Sequence, residues 1–427
     1  MKELVKYLWQ NRLLGNSALV TESGERVEVM ECGLPTAHDS KADFIHATLM
    51  VDDALLMGNI KIDECASQWK EESGESDNII LHVVERCDAP PHIAAGRTVP
   101  QLKISCDPAM EKRFALLTGP TEPMECKHTG GALPQIVLHN YMEALLCERL
   151  SDRSGQIAHR LQFYNNSWED AFFCTLARNF GFGVNGDAFE QWMGRISLRM
   201  VDKHRDNLFQ VEALFLGQAG LLEPDTLPEY YRAAAAKEGY FERLRNEYLY
   251  LAHKFELQPG TPDIWNFKGM RPGNYPHVRL AQLAAIYHTG SVNLSRAIEA
   301  ATATDLYKLL DTRPSPYWEQ HFIFGSTPTE GTRRISRRSL DLLIINTVVP
   351  FLYAYGKHKN NDEYLKRAES LLAELAPEDN YITRMWAAHG IAAQNAAQSQ
   401  ALIQLKKCYC DRRNCVECRL GYEFLKG

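Results

Sequence analysis

No stretch of this 427-residue chain approaches the ~20 consecutive apolar residues that a membrane-spanning helix needs. The opening residues, Met-Lys-Glu-Leu-Val-Lys-Tyr-Leu-Trp, contain no apolar signal core and no small-residue cleavage site. No membrane partner and a cytoplasmic location are therefore expected. Positive charge is not in excess either. Lys and Arg number 47 against 54 Asp and Glu, for a net charge of −7. That argues against a general polyanion binder and leaves room only for a local basic groove. A Ser-His-Asp arrangement, a phosphate loop and a dinucleotide fingerprint are all missing. There is no fixed-period repeat, so a solenoid is not expected.

Cysteine, by contrast, is plentiful. The chain has 11, which in a reducing compartment are free thiols or metal ligands. Most stand alone and read as small buried apolar residues. Cys408-x-Cys410-x₄-Cys415-x₂-Cys418 is different, because a Cys-x₂-Cys pair brings two sulfurs to one tetrahedral ion. Zinc is the expected metal. The alternative is an iron–sulfur cluster, since Cys-x₄-Cys-x₂-Cys is also a ferredoxin-type spacing that takes a fourth cysteine from elsewhere. Within the set Cys408 bites least readily.

Taken in order, the chain predicts an α+β protein in three parts. Residues 1–135 form a mixed α/β module, including a Pro-, Gly- and Thr-rich linker over 106–135. Residues 136–407 form a large all-helical domain, and residues 408–427 a cysteine-rich knob. The module opens with a helix over 2–13, striped by Leu4, Leu8 and Trp9. A strand over 27–33 follows, and then a hairpin from Asp43 to Asp63. A short helical turn over 67–72 leads to a buried strand, Ile79–Val84, and a last strand over 101–105. Roughly eight to ten helices are expected beyond that, among them Val211–Leu222, Leu340–Tyr355 interrupted at Pro350, and Ile382–Lys407.

Helix, three strands, short helix, two strands resembles the core of the restriction-endonuclease-like fold. That resemblance implies a carboxylate at the start of the second strand and a Glu-x-Lys pair on the third. Together they hold Mg²⁺ or Mn²⁺ and orient a water at a phosphodiester. The matching positions are Asp43, Lys61 and Asp63. Alternation places Lys61 and Asp63 on one strand face, with Ile60 and Ile62 on the other. His82, inside an apolar strand, reads as a core histidine, and His46 as structural or exposed.

Two arginine groups stand out further on. Arg271, Asn274 and Arg279 could grip a phosphate or carboxylate, or staple a Pro-rich loop to a helix. Arg333, Arg334, Arg337 and Arg338 form the densest basic cluster and could touch a DNA or RNA backbone. The alternative is a solvated face.

Longer motifs carry a second resemblance. They include Tyr7-Leu-Trp-Gln, Gly58-Asn-Ile, Ile80-Leu-His-Val-Val, Gln210-Val-Glu-Ala-Leu-Phe-Leu-Gly-Gln-Ala-Gly-Leu-Leu, Arg271-Pro-x-Asn-Tyr-Pro and Ile344-Ile-Asn-Thr-Val-Val-Pro. With Trp265 and the cysteine tail, they are similar to a bacterial family catalogued as domain of unknown function 2851, nearly end to end. The family implies no established activity. Its pattern implies Gly-Pro-Asp-Phe at the first hairpin strand and Val-Glu-Ile-His at the second. Here Asp43 is kept, but Lys61 stands at the Glu position and Asp63 at the His position. Either metal binding has been lost, or lysine and carboxylate have exchanged places and a nuclease site persists. Three readings follow: a nucleic-acid-associated protein with an inactive nuclease-derived module, a metal-dependent nuclease with a rearranged site, or a helical scaffold that binds a protein partner.

Overall fold

Leu4, Leu8 and Trp9 recur at helical spacing, and they bury one face of α1 (Lys2–Gln10). The structure is a computed structural model that describes residues 2–14, 18–36, 42–69, 78–94, 97–119, 125–331 and 333–427. It is mixed α+β, with a sheet near the N-terminus and a large helical part. The chain divides into two compact units. Unit 1 is Met1–Leu138, Ala388–Ile391 and Leu405–Gly427, and unit 2 is His139–Ala387 and Ala392–Gln404.

Unit 1 holds strands β1 (Leu19–Val20), β2 (Arg26–Glu31), β3 (Leu34–Pro35), β4 (Phe44–Val51), β5 (Ala54–Cys65) and β6 (Ile79–Arg86). A small hairpin of β7 (Ile93–Ala94) and β8 (Arg97–Thr98) precedes β9 (Gln101–Lys103). The sheet order is β1-β2-β4-β5-β6-β9, with β3 beside β4. β2, β4 and β5 pair antiparallel, whereas β5–β6 and β6–β9 are parallel. Asp52 and Asp53 make the tight turn between β4 and β5. β6 is buried from Ile79 to Val84, as its unbroken apolar run requires of a strand flanked on both sides. The sheet curls until Thr21 bridges Leu102 and the Glu22 amide donates to the Gln101 carbonyl (3.0 Å), so it is nearly barrel-like.

The stretch expected as a linker holds two helices instead, α2 (Pro108–Thr118) and α3 (Glu125–Ala132). Asp107 starts α2 by accepting from the Ala109 amide (2.9 Å), with Pro108 in the first turn, where its missing N–H costs nothing. Residues 120–124 lie outside the described residues. So do residues 70–72 of the turn expected over 67–72, where the structure shows a 3₁₀ turn at Ala66–Gln68. The C-terminal helix, Arg419–Lys426, places Leu425 in the same core cluster as Leu4, Trp9 and Ile62.

Unit 2 is more finely cut than the sequence pattern suggests. Among the described residues, 16 α-helical segments lie between Gln135 and Gln404. The single helix expected over 382–407 is broken after Ala388, where Gly390 takes a left-handed conformation (φ 86°) that ends the helical run. Gly217 lets helix Leu208–Gln218 approach helix Tyr240–Phe255 closely, because a Cβ there would fall inside the Tyr248 ring.

Pro350 does not interrupt its helix. The rod runs unbroken from Arg337 to Lys359 through a π-helical turn at Ile344–Val348. Pro350 has no N–H to offer the Asn346 carbonyl one turn back. The Asn179 side-chain amide supplies that hydrogen bond instead (2.8 Å) and also donates to Thr347 Oγ1 (2.9 Å). This rod is apolar enough by length and composition to cross a membrane, against the reading of the sequence, but 72% of its apolar window is buried inside the protein. Asn179→Ala leaves the Asn346 carbonyl without its donor and should cost about 1–2 kcal/mol, read as a lower urea midpoint with an unchanged slope.

Candidate functional site

Asp43 precedes β4 by one residue and Asp63 lies near the end of β5. The pairing of these strands holds the two carboxylates, both buried, on one side of the sheet. Asp43 is locked at both oxygens. Its Oδ2 accepts from the Ile62 amide (2.7 Å), and its Oδ1 meets Lys6 Nζ (2.9 Å) and Lys2 Nζ (3.4 Å). Lys2 Nζ also meets Asp63 Oδ1 (3.1 Å). A single ammonium therefore bridges the pair, and both lysines sit four residues apart on one face of α1. Asp63 Oδ2 is taken by His82 Nε2 (3.2 Å) from β6. The other His82 nitrogen, Nδ1, is buried without a hydrogen-bond partner, and the ring packs edge-on against Trp69.

These contacts set the local electrostatics. Burial works to raise the Asp63 carboxyl. The hydrogen bond from His82 and the charges of Lys2 and Lys61 outweigh it and hold Asp63 below its ordinary value. Burial likewise works to lower the Lys6 ammonium, but the hydrogen bonds and charges of Asp43 and Glu3 hold it above its ordinary value. Lys61 thus contributes charge, while the cation that joins the carboxylates comes from α1. His46 is exposed at a bulge with φ 58° and plays no part in this centre.

The cysteine tail packs differently from a free-standing knob. Cys408 and Cys410 are half-buried in a π-helical turn, while Cys415 and Cys418 are buried. Cys415 shares the unit 1 core cluster with Cys126, one of the cysteines that read as solitary. Among the described residues, no group of three or more His, Cys, Asp or Glu side chains is gathered to hold a metal ion, at the tail or around Asp43.

In unit 2 the two arginine groups come together. Arg271, Asn274, Arg279, Arg333, Arg334 and Arg338 all line one cavity of about 840 Å³. Arg337 does not. It lies over the Tyr307 ring (3.1 Å) and faces Asp341 (3.8 Å). A second cavity, of about 670 Å³, surrounds a residue the sequence reading passed over as part of a helical motif. Glu212 Oε2 accepts from the Tyr240 hydroxyl (2.6 Å) and the Ser315 hydroxyl (3.0 Å), while Oε1 is buried with no partner. Burial pushes this carboxyl up to about 7, against the pull of those two hydrogen bonds. An acidic residue inside a strongly apolar helix was the available signal.

The Asp63 carboxylate contributes stability above its unfolded-state pKa, and that contribution disappears as pH falls through the lower folded value. Asp63→Ala should therefore cost about 3 kcal/mol at pH 7, because Lys2 and His82 lose their shared acceptor. The gap from wild type should narrow as pH falls through the lowered folded-state value of Asp63. Denaturant unfolding at a series of pH values checks both.

Comparison with known proteins adds the lineage. No curated protein and no solved structure matches the chain. The family described as Protein of unknown function (DUF2851) matches residues 2–381, which takes in the carboxylate centre and both cavities. The chain belongs to that family.

Proposed function

We propose that unit 1 is a nuclease-derived module that associates with nucleic acid and no longer cleaves it. The observation that carries this reading is the Lys2 ammonium shared by Asp43 and Asp63. A metal-dependent phosphodiesterase keeps such a carboxylate pair for a divalent cation. Here two carboxylates face two ammoniums, Lys2 and Lys6, and the charges already cancel. A divalent ion would have to displace a paired lysine and leave the centre positively charged. The strand order and directions, with β4 running against β2, β5, β6 and β9, support a nuclease ancestry. The near closure of the sheet departs from an open nuclease sheet.

One observation favours the second reading, a working nuclease with a rearranged site. Asp43 and Asp63 do converge, as shared metal ligands must.

Zinc at Cys408, Cys410, Cys415 and Cys418 is a separate proposal that rests on donor chemistry. Binding would draw together thiols that do not form a three-ligand group as they stand. No step of the reading above passes through it. Elemental analysis of protein purified under reducing conditions should find about one zinc per chain, lost in Cys415→Ser. Zinc-free protein with wild-type melting retires the idea.

Cleavage separates the two main readings. With Mn²⁺ and single-stranded DNA, duplex DNA or RNA, the wild type should cut none of them, while fluorescence anisotropy should show salt-sensitive binding to at least one. Mn²⁺-dependent cleavage abolished by Asp43→Ala would establish the nuclease instead. No binding at any salt concentration would end the nucleic-acid reading altogether.

A further inference from the structure

The arginine cavity of unit 2 has a composition unlike the rest of this acidic chain. Arg271, Arg279, Arg333, Arg334 and Arg338 line it, and among the described residues no Asp or Glu does. Two of the five are compensated from outside the wall. Arg334 pairs with Asp311 (3.0 Å) and Arg338 with Asp379 (3.3 Å). Among the described residues Arg271, Arg279 and Arg333 show no ion pair.

Arg279 is the informative one. It is only 6% exposed. Its guanidinium donates to neutral amide oxygens alone, from Nη1 to Gln282 Oε1 (2.8 Å) and from Nη2 to Asn274 Oδ1 (2.5 Å). Its Nε is buried with no acceptor. Burial without an opposing charge pushes the group down to about 10. Isolated buried cations are costly, and a protein that keeps one against a cavity wall gains from an anion in that cavity.

The surroundings hold the guanidinium rather than neutralise it. The ring of Phe182 lies under it at 4.3 Å, and Gln282 Nε2 donates to the Arg333 carbonyl (2.6 Å). Arg333 in turn lies over Phe322 at 4.0 Å. Both Phe182 (φ 43°) and Arg333 (φ 45°) take left-handed backbone conformations that cost energy outside glycine. Two flat guanidinium groups are thus fixed on aromatic faces around a cavity large enough for a nucleotide-sized molecule.

We propose that this cavity binds the phosphoryl group of a phosphorylated ligand. Guanidinium groups match phosphate oxygens two at a time. Three uncompensated cations suit a multiply charged phosphate better than a lone carboxylate. The ligand's source is either a free nucleotide or the phosphorylated end of a nucleic-acid strand. The inference is independent of the carboxylate centre in unit 1 and survives if that reading fails.

The test is calorimetric titration of the full-length protein with sodium pyrophosphate. Saturable binding of one molecule per chain is expected, with a matching rise in melting temperature. Arg271→Gln and Arg333→Gln, both at least partly exposed and so safe for folding, should each weaken it roughly tenfold. Arg337→Gln, outside the cavity, should leave it unchanged. AMP and a 5′-phosphorylated oligonucleotide, beside the same strand with a 5′-hydroxyl, separate the sources. Tight AMP binding with no preference between the strands assigns a free nucleotide, and preference for the phosphorylated strand assigns a strand end. Absence of saturable binding overturns the proposal. So does citrate binding as tightly as pyrophosphate, or an equal loss in Arg337→Gln.

Discussion

One ammonium group holds the centre of unit 1 together. Lys2 reaches from α1 to both Asp43 and Asp63, and so ties the first helix to two strands through a single charge. Without it, two buried carboxylates on the same side of the sheet would repel each other with no cation between them. Lys6 and His82 complete the arrangement from either side. Charge neutrality at a buried site is a constraint that any account of the unit must satisfy. Here it is met by the protein's own side chains.

Much of this was legible in the sequence, and the limits are physical. Strand periodicity revealed the hairpin and the buried strand, because alternation and unbroken apolar runs are local signals. It also placed Asp43, Lys61 and Asp63 close together. It could not reveal Lys2 and Lys6, because a helix at the chain start shows its polar face without saying what that face meets. The signal available was two lysines four residues apart beside the Leu4 and Leu8 stripe. Likewise Pro350 looked like a break. The compensating donor, Asn179, lies far away in sequence, and no local rule points to it.

In unit 2 the same contrast appears with the opposite sign. Arg271 with Arg279, and the run from Arg333 to Arg338, read as two separate basic features. Folding merges them around one concavity and sends Arg337 elsewhere. Adjacent residues in a run diverge because each points its own way from the backbone. Residues 50 or more apart converge because packing brings their loops together. Glu212 was missed for a related reason. Its significance lies in burial and in an unsatisfied oxygen, neither of which composition records.

The core of unit 1 contains Leu4 and Leu425, and the Arg113 guanidinium donates to the Phe424 carbonyl (3.3 Å). The helices Lys2–Gln10 and Arg419–Lys426 are therefore parts of one compact unit, whose outer segments, Met1–Leu138 and Leu405–Gly427, lie some 270 residues apart in sequence. At synthesis rates of about 5–20 residues per second, the sheet must wait tens of seconds, with part of its apolar surface uncovered, before residues 405–427 emerge. A chain truncated before Leu405 would keep every strand and both carboxylates and still lack a piece of its own core. The early segment thus completes its core only when residues 405–427 join it.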